Sequence, residues 1–211
     1  MGIPVLVIGE SGSGKSASLR NFKKGEVGII NVASKPLPFR TDIKPYNVSQ
    51  EAKKANKSRY QMVAVALEKG QTKSFAVDDS QYLLAFEAFD RAKETGYGKF
   101  TDIAVNFRNL IDYIINDLPN DKIVYFLHHA ETGENGKVKA KTIGKMLDSQ
   151  LTLEGLFSIV LMCETDGETH KFVTQSDGST TAKSPMGMFD REIDNDLQMV
   201  DKTIREYYNI K

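Results

Sequence analysis

At 211 residues, with 40% hydrophobic and 27% charged side chains, the chain has the composition of one sizeable soluble α/β domain and little room for a second. Its 28 basic and 28 acidic residues cancel, so net charge gives no argument for nucleic acid, and no apolar run approaches the roughly 18 residues of a membrane span. A single cysteine, Cys163, excludes an internal disulfide and suits a reducing compartment, so the expectation is a cytoplasmic protein with no membrane partner.

The first predicted element is a buried strand over residues 3–8, which has no basic flank and so reads as a strand rather than a leader peptide. It runs directly into Gly9-Glu10-Ser11-Gly12-Ser13-Gly14-Lys15-Ser16, followed by Ala17 in a helix predicted over 15–22 and stopped by Lys23, Lys24 and Gly25. Strand, glycine-rich loop and helix in that order are the context of a phosphate-binding loop. The glycines let successive backbone N–H groups turn toward phosphate oxygens, Lys15 can reach the β- and γ-phosphates, and the Ser16 hydroxyl can ligate Mg²⁺. The expected ligand is therefore a nucleoside triphosphate, with helix-terminal charge adding to the site.

An almost continuous apolar run over 27–32 predicts a second, parallel strand, and Pro36, Pro38 and Pro45 force an irregular loop after it that carries Lys35, Phe39 and Arg40. Residues 49–69 read as one helix, and 74–79 as a third strand ending in Asp78 and Asp79. A carboxylate at the tip of a buried strand beside a phosphate loop is suited to hold Mg²⁺, which assigns Asp78 with Ser16 to the metal. Asp79 is either the group that orients the attacking water or a cap for the next helix, a part Ser80 can also play. In that helix, over 81–94, Tyr82, Phe86 and Phe89 read as core. A loop over 95–100 precedes an amphipathic helix capped by Thr101 or Asp102, with Ile103, Phe107, Leu110, Ile111, Ile114 and Leu118 on one face.

The fourth strand, 123–127, ends in His128-His129-Ala130-Glu131, where a polar side chain can hydrogen-bond a γ-phosphate. After it, residues 132–145 form a predicted mobile loop with three glycines and Lys137, Lys139, Lys141 and Lys145. A short helix over 147–156, a fifth strand over 157–162, a β-hairpin pairing 170–174 with 179–183, and a helix from about Asp190 complete the chain. Charge is uneven along it. Residues 35–59 hold seven bases against two acids, and 190–201 hold five acids against one base, which reads either as solvated faces or as surfaces for nucleic acid and head-to-tail self-association.

Together GESGSGKS, FAVDDSQYL, FLHHAE, KMLDSQLTLEGLFSIVL and TAKSPMGMF resemble the small RecA-like, Sak-type single-strand annealing ATPases of bacteriophages, also described as phage nucleotide-binding proteins. The resemblance covers nearly the whole chain, and the segment from His128 to Phe189 makes it specific. It implies a RecA-like P-loop NTPase core, a mainly parallel five-stranded sheet with a C-terminal β-hairpin and helix, in which the strand ending at His128 separates the Asp78 strand from the loop strand. It also implies ATP and Mg²⁺ as cofactors, single-stranded DNA as partner, assembly as a ring or filament, a single-stranded DNA-binding protein as a further partner, and the host bacterial cytoplasm as location. By position, His129 matches the γ-phosphate sensor, residues 132–145 and 95–100 match the two DNA-contacting loops, and Lys183 lies near hairpin lysines that reach a neighbouring protomer's ATP. Tyr97 and Phe100 can stack bases while Lys99 and the loop lysines track phosphates. In one respect the chain departs from the pattern: the glutamate expected after the second strand is missing from Asn31-Val32-Ala33-Ser34-Lys35, so Asp79 or Glu131 replaces it or hydrolysis is slow. A P-loop small-molecule kinase and a non-hydrolysing nucleotide-dependent interaction protein are the rival expectations.

Overall fold

The computed structural model describes residues 1–144, 147 and 151–210. In chain order these form β1 (Ile3–Gly9), β2 (Val27–Asn31), β3 (Tyr46–Asn47), α1 (Val48–Ala55), α2 (Arg59–Lys69), β4 (Ser74–Asp78), α3 (Gln81–Asp90), α4 (Gly98–Asp117), β5 (Ile123–Thr132), β6 (Val138–Ala140), β7 (Ile159–Thr165), β8 (His170–Val173), β9 (Glu192–Asp194) and α5 (Leu197–Tyr207). The sheet order is β3-β2-β4-β5-β1-β7-β8-β9, with β6 attached to the far end of β5. From β3 to β7 all neighbours are parallel, whereas β8, β9 and β6 are antiparallel additions. The fold is thus mixed α/β with a largely parallel central sheet, and β5 does separate β4 from β1.

This architecture follows from which faces are apolar. Strands β1 and β4 are buried along almost their whole length, and β5 and β7 over Ile123–His128 and Ile159–Cys163, because helices cover both faces of the sheet. One core layer packs α2, α3 and α4 on Leu6, Ile8, Val77, Val124 and Phe126; the other packs α5 on Val5, Val7, Tyr125, Leu127 and Leu161. The predicted stripe of α4 is the buried one, from Ile103 through Ile114 to Leu118. At the opposite end from the glycine loop, Asp201 fastens α5 by accepting hydrogen bonds from Ser74 (2.6 Å), Tyr125 (3.0 Å) and Arg205 (2.7 Å).

Several expectations need correction. The helix over 15–22 is a single 3₁₀ turn, Ser16–Leu19. Residues 49–69 form two helices, because Asn56 takes a left-handed conformation (φ 50°) and Ser58 starts α2 with a capping box to Gln61. The second half of the loop over 95–100 belongs to α4, which begins at Gly98 rather than at Thr101. The loop over 132–145 is largely a β5–β6 hairpin: β5 continues to Thr132, Gly136 supplies a positive φ of 77° at the turn, and Lys139 pairs opposite Glu131. Of the helix over 147–156, Leu153–Leu156 form a 3₁₀ turn; Lys145 and residues 148–150 lie outside the described residues. The hairpin partner of β8 is β7, not 179–183, which instead bridges Val138 and Val160. The last helix starts at Leu197, with Asp196 as its cap and Ile193 on β9. Phe89, read as core, is 77% exposed, while Tyr82 and Phe86 do pack.

Candidate functional site

Parallel strands deliver their C-terminal tips to one edge, so Gly9 of β1, Asp78 of β4 and His129 of β5 come together there. The loop from Gly9 to Ser16 folds tightly over that edge, with Gly12 at φ 84° and Gly14 at φ 98°, conformations that glycine adopts without penalty. A side chain at Gly9 would lie 2.8 Å from the Cys163 carbonyl. One at Gly14 would lie 2.8 Å from Nδ1 of His170, which packs against the loop from β8. The Ser13 carbonyl accepts hydrogen bonds from Cys163 Sγ (2.9 Å) and from His170 Nδ1 (2.9 Å), so β7 and β8 brace the loop from one side. Burial pushes the Cys163 thiol up to about 11, keeping it a neutral donor.

Lys15 is buried, and its ammonium donates to the carbonyls of Gly9 and Glu10, each at 2.8 Å. Burial lowers its pKa, opposed by the nearby carboxylates of Asp79 and Asp78. Ser16 Oγ donates to Asp78 Oδ1 at 2.7 Å, joining the loop to the tip of β4. Burial raises the Asp78 pKa, and the Ser16 hydrogen bond offsets part of that rise. Asp79 sits in the left-handed region (φ 58°), which is uncommon for aspartate and aims its carboxylate into the same cavity. One oxygen meets Lys35 Nζ at 2.9 Å, and the other lies 3.3 Å from His129 Nε2, an ion-pair distance without good hydrogen-bond alignment. Burial alone would raise the Asp79 pKa, but His129 and Lys35 outweigh it and hold the carboxyl at about 2. A cavity of about 380 Å³ is bounded by the loop, Lys35, Pro36, Pro38, Asp78, Asp79, His129 and His170.

Lys15, Ser16, Asp78, Asp79 and His129 therefore converge, with Gly12, Gly14, Ser11 and Ala17 on the same wall. Glu131 does not join them: it lies farther along β5, with Lys139 Nζ 3.9 Å away. Lys183 is hydrogen-bonded through its backbone to Val160 and lines no part of this cavity. Among the described residues no three histidine, cysteine or carboxylate side chains gather into a metal cage. One hydroxyl and one carboxylate 2.7 Å apart fit Mg²⁺, which takes few protein ligands and fills its shell with water and phosphate oxygens.

The segments expected to contact DNA adjoin each other. A Cβ at Gly144 would come within 3.1 Å of Phe100, so the end of the lysine-rich segment touches the start of α4. Tyr97 is 89% exposed, Phe100 is half-buried against the core, and Lys99 donates to the Glu94 carbonyl. Lys137 lies at the hairpin turn, Lys139 on β6, and Lys141 immediately after it. The hairpin is firmly seated: the Ala140 N–H donates to the buried Glu154 carboxylate at 2.7 Å, and Val138 N–H to the Ser179 carbonyl at 2.8 Å.

The sequence places Lys35 on the irregular loop after β2 but does not set it against Asp79, and it gives no sign that His170 reaches the glycine loop. Lys35 follows a strand tip, which is a usable signal; His170 opens β8 just after the Asp166-Gly167 turn from β7, a local hairpin mark that says nothing of its packing on the loop. No protein-family model matches the chain, and a search of curated proteins likewise finds no match. No helix among the described residues is long and apolar enough to cross a membrane.

Proposed function

We propose that the chain is a RecA-like P-loop ATPase that binds Mg-ATP at the Gly9–Ser16 loop and single-stranded DNA along the β5–β6 hairpin and the start of α4, acting in phage recombination or strand annealing. The observation that carries this reading is the contact of Ser16 with Asp78 at 2.7 Å beside a buried Lys15, on strands separated by one intervening strand. In it the loop N–H groups and Lys15 bind the phosphates, Ser16 and Asp78 hold the metal, and His129 reports on the terminal phosphate. Bound Mg²⁺ supplies Lewis-acid stabilisation of charge on the phosphate oxygens. Resemblance to the Sak-type phage ATPases supports the choice of DNA as partner, with assembly into a ring or filament as its corollary.

A specific observation also favours the non-hydrolysing rival: the carboxylate best placed to orient water, Asp79, is already paired with Lys35. Phosphate release measured with and without single-stranded DNA separates the readings. DNA-stimulated release that Lys15→Ala abolishes supports the ATPase, and silence under both conditions supports a nucleotide-dependent interaction protein. ADP formation that depends on a small-molecule acceptor supports a kinase.

A further inference from the structure

We infer that Lys35 is a phosphate-contacting residue of this site, its ammonium taking the terminal phosphate of a bound nucleoside triphosphate from within the same chain. The inference rests on the nucleotide reading above and adds a residue to it. Lys35 leaves the tip of β2, and the buried Asn31 side chain donates to its carbonyl at 2.6 Å, so the root of the side chain is fixed. Its ammonium lies 2.9 Å from Asp79 and 4.8 Å above the Tyr82 ring. The side chain is 57% exposed whereas that of Asp79 is 15% exposed, which puts the ammonium at the mouth and the carboxylate behind it. An exposed lysine gains little from an ordinary surface ion pair. Here a pinned backbone, a carboxylate and an aromatic face hold it over the cavity that also contains Lys15.

Position selects the phosphate. The carboxylates and His129 mark the β4–β5 side of the cavity, and His170, on β8, marks the other. Lys35 belongs to the first side, where Ser16 and Asp78 are joined and where the terminal phosphate of a metal-bound triphosphate belongs. A magnesium-bound triphosphate remains anionic, so it competes with Asp79 for this cation, which sits on a flexible four-carbon stem. The same exchange leaves Asp79 facing His129 without its second partner.

The test is calorimetric titration of Mg-ATP, in its non-hydrolysable β,γ-imido form, and of Mg-ADP into the full chain. Lys35→Ala and Lys35→Met are expected to weaken the triphosphate about tenfold and to leave ADP within twofold, while Lys35→Arg retains most of the preference. Equal losses for both nucleotides, or no loss for either, would overturn the assignment. Lys35→Met keeps the aliphatic cover on Tyr82, so a loss caused by packing appears in Lys35→Ala alone, whereas a loss caused by the missing charge appears in both variants. A wild-type chain that binds neither nucleotide overturns the nucleotide reading itself, and the role of Lys35 with it.

Discussion

His128 is fully buried, and its partners fix its tautomer. The Lys141 carbonyl, 2.8 Å from Nε2, can only accept, so Nε2 carries the proton and Nδ1 accepts from the Ser80 hydroxyl at 2.9 Å. Burial lowers its pKa to about 4, against a usual value of 6.5, despite the favourable Lys141 contact. The unfolded chain therefore takes up a proton below pH 6.5 that the folded chain refuses until about pH 4. Stability from this residue is whole above pH 6.5 and is lost as the pH falls through that window, by about 3 kcal/mol in all. Denaturant unfolding between pH 7 and 4 should show this fall in the wild type and a flatter profile in His128→Gln. A flat wild-type profile would contradict it. His129, one residue on, faces the cavity instead, because successive strand residues point to opposite faces. The two histidines therefore divide into a structural residue and a site residue, a division strand alternation explains and the dipeptide alone does not reveal.

At the level of elements, legibility followed locality. The loop strand, the Asp78 strand and the buried stripe of α4 were all readable, since each rests on an apolar run or a period within one segment. The division of residues 49–69 was not, although its signal was present: Asn56 favours a left-handed helix end, and Ser58 with Gln61 three residues later is a capping box. The apolar face of this stretch, Tyr60, Val63, Ala64 and Leu67, lies wholly in α2 and does not mark where α1 ends. Ser58 accepts from the Gln61 N–H at 3.2 Å, and the Gln61 side chain accepts from the Ser58 N–H at 3.0 Å. Ser58→Ala should therefore cost about 1 kcal/mol of unfolding free energy, and Ser58→Asp much less, as read from urea midpoints at constant m-value. Equal midpoints for the wild type and Ser58→Ala would mean that packing of Met62, Val63 and Leu67 alone sets the start of α2. The strand pairings beyond His129 were the least readable elements, although each has a local turn: Asn135-Gly136 joins β5 to β6 and Asp166-Gly167 joins β7 to β8, with Gly136 at φ 77° and Gly167 at φ 97°. What no local pattern encodes is the seating of the β5–β6 hairpin on Glu154 and Ser179.

Across the whole molecule, one strand joins the edge bearing the glycine loop to the lysine-bearing hairpin. β5 carries His129 at the cavity and Glu131 opposite Lys139, and the Lys141 N–H donates back to the His129 carbonyl at 2.8 Å. On the proposed reading, a shift of His129 toward a phosphate would reach the hairpin through this hydrogen bond. With a formal net charge of zero, the chain has no global attraction for nucleic acid, so any salt-dependent binding must come from local clusters such as this one. Lys139 already has Glu131 within 3.9 Å, so Lys137 and Lys141 should carry more of the phosphate contact. Each phosphate contact on a single strand contributes roughly 0.7 to the slope of log affinity against log salt, so Lys137→Ala with Lys141→Ala should flatten that slope by about 1.4. Mg-ATP should tighten the wild-type complex, and Lys15→Ala should lose that gain while keeping the basal slope. Fluorescence anisotropy with an oligothymidylate at several salt concentrations reads both quantities. An unchanged slope in the double variant would take the hairpin out of the DNA surface. An undiminished nucleotide effect in Lys15→Ala would show that the coupling does not pass through the glycine loop.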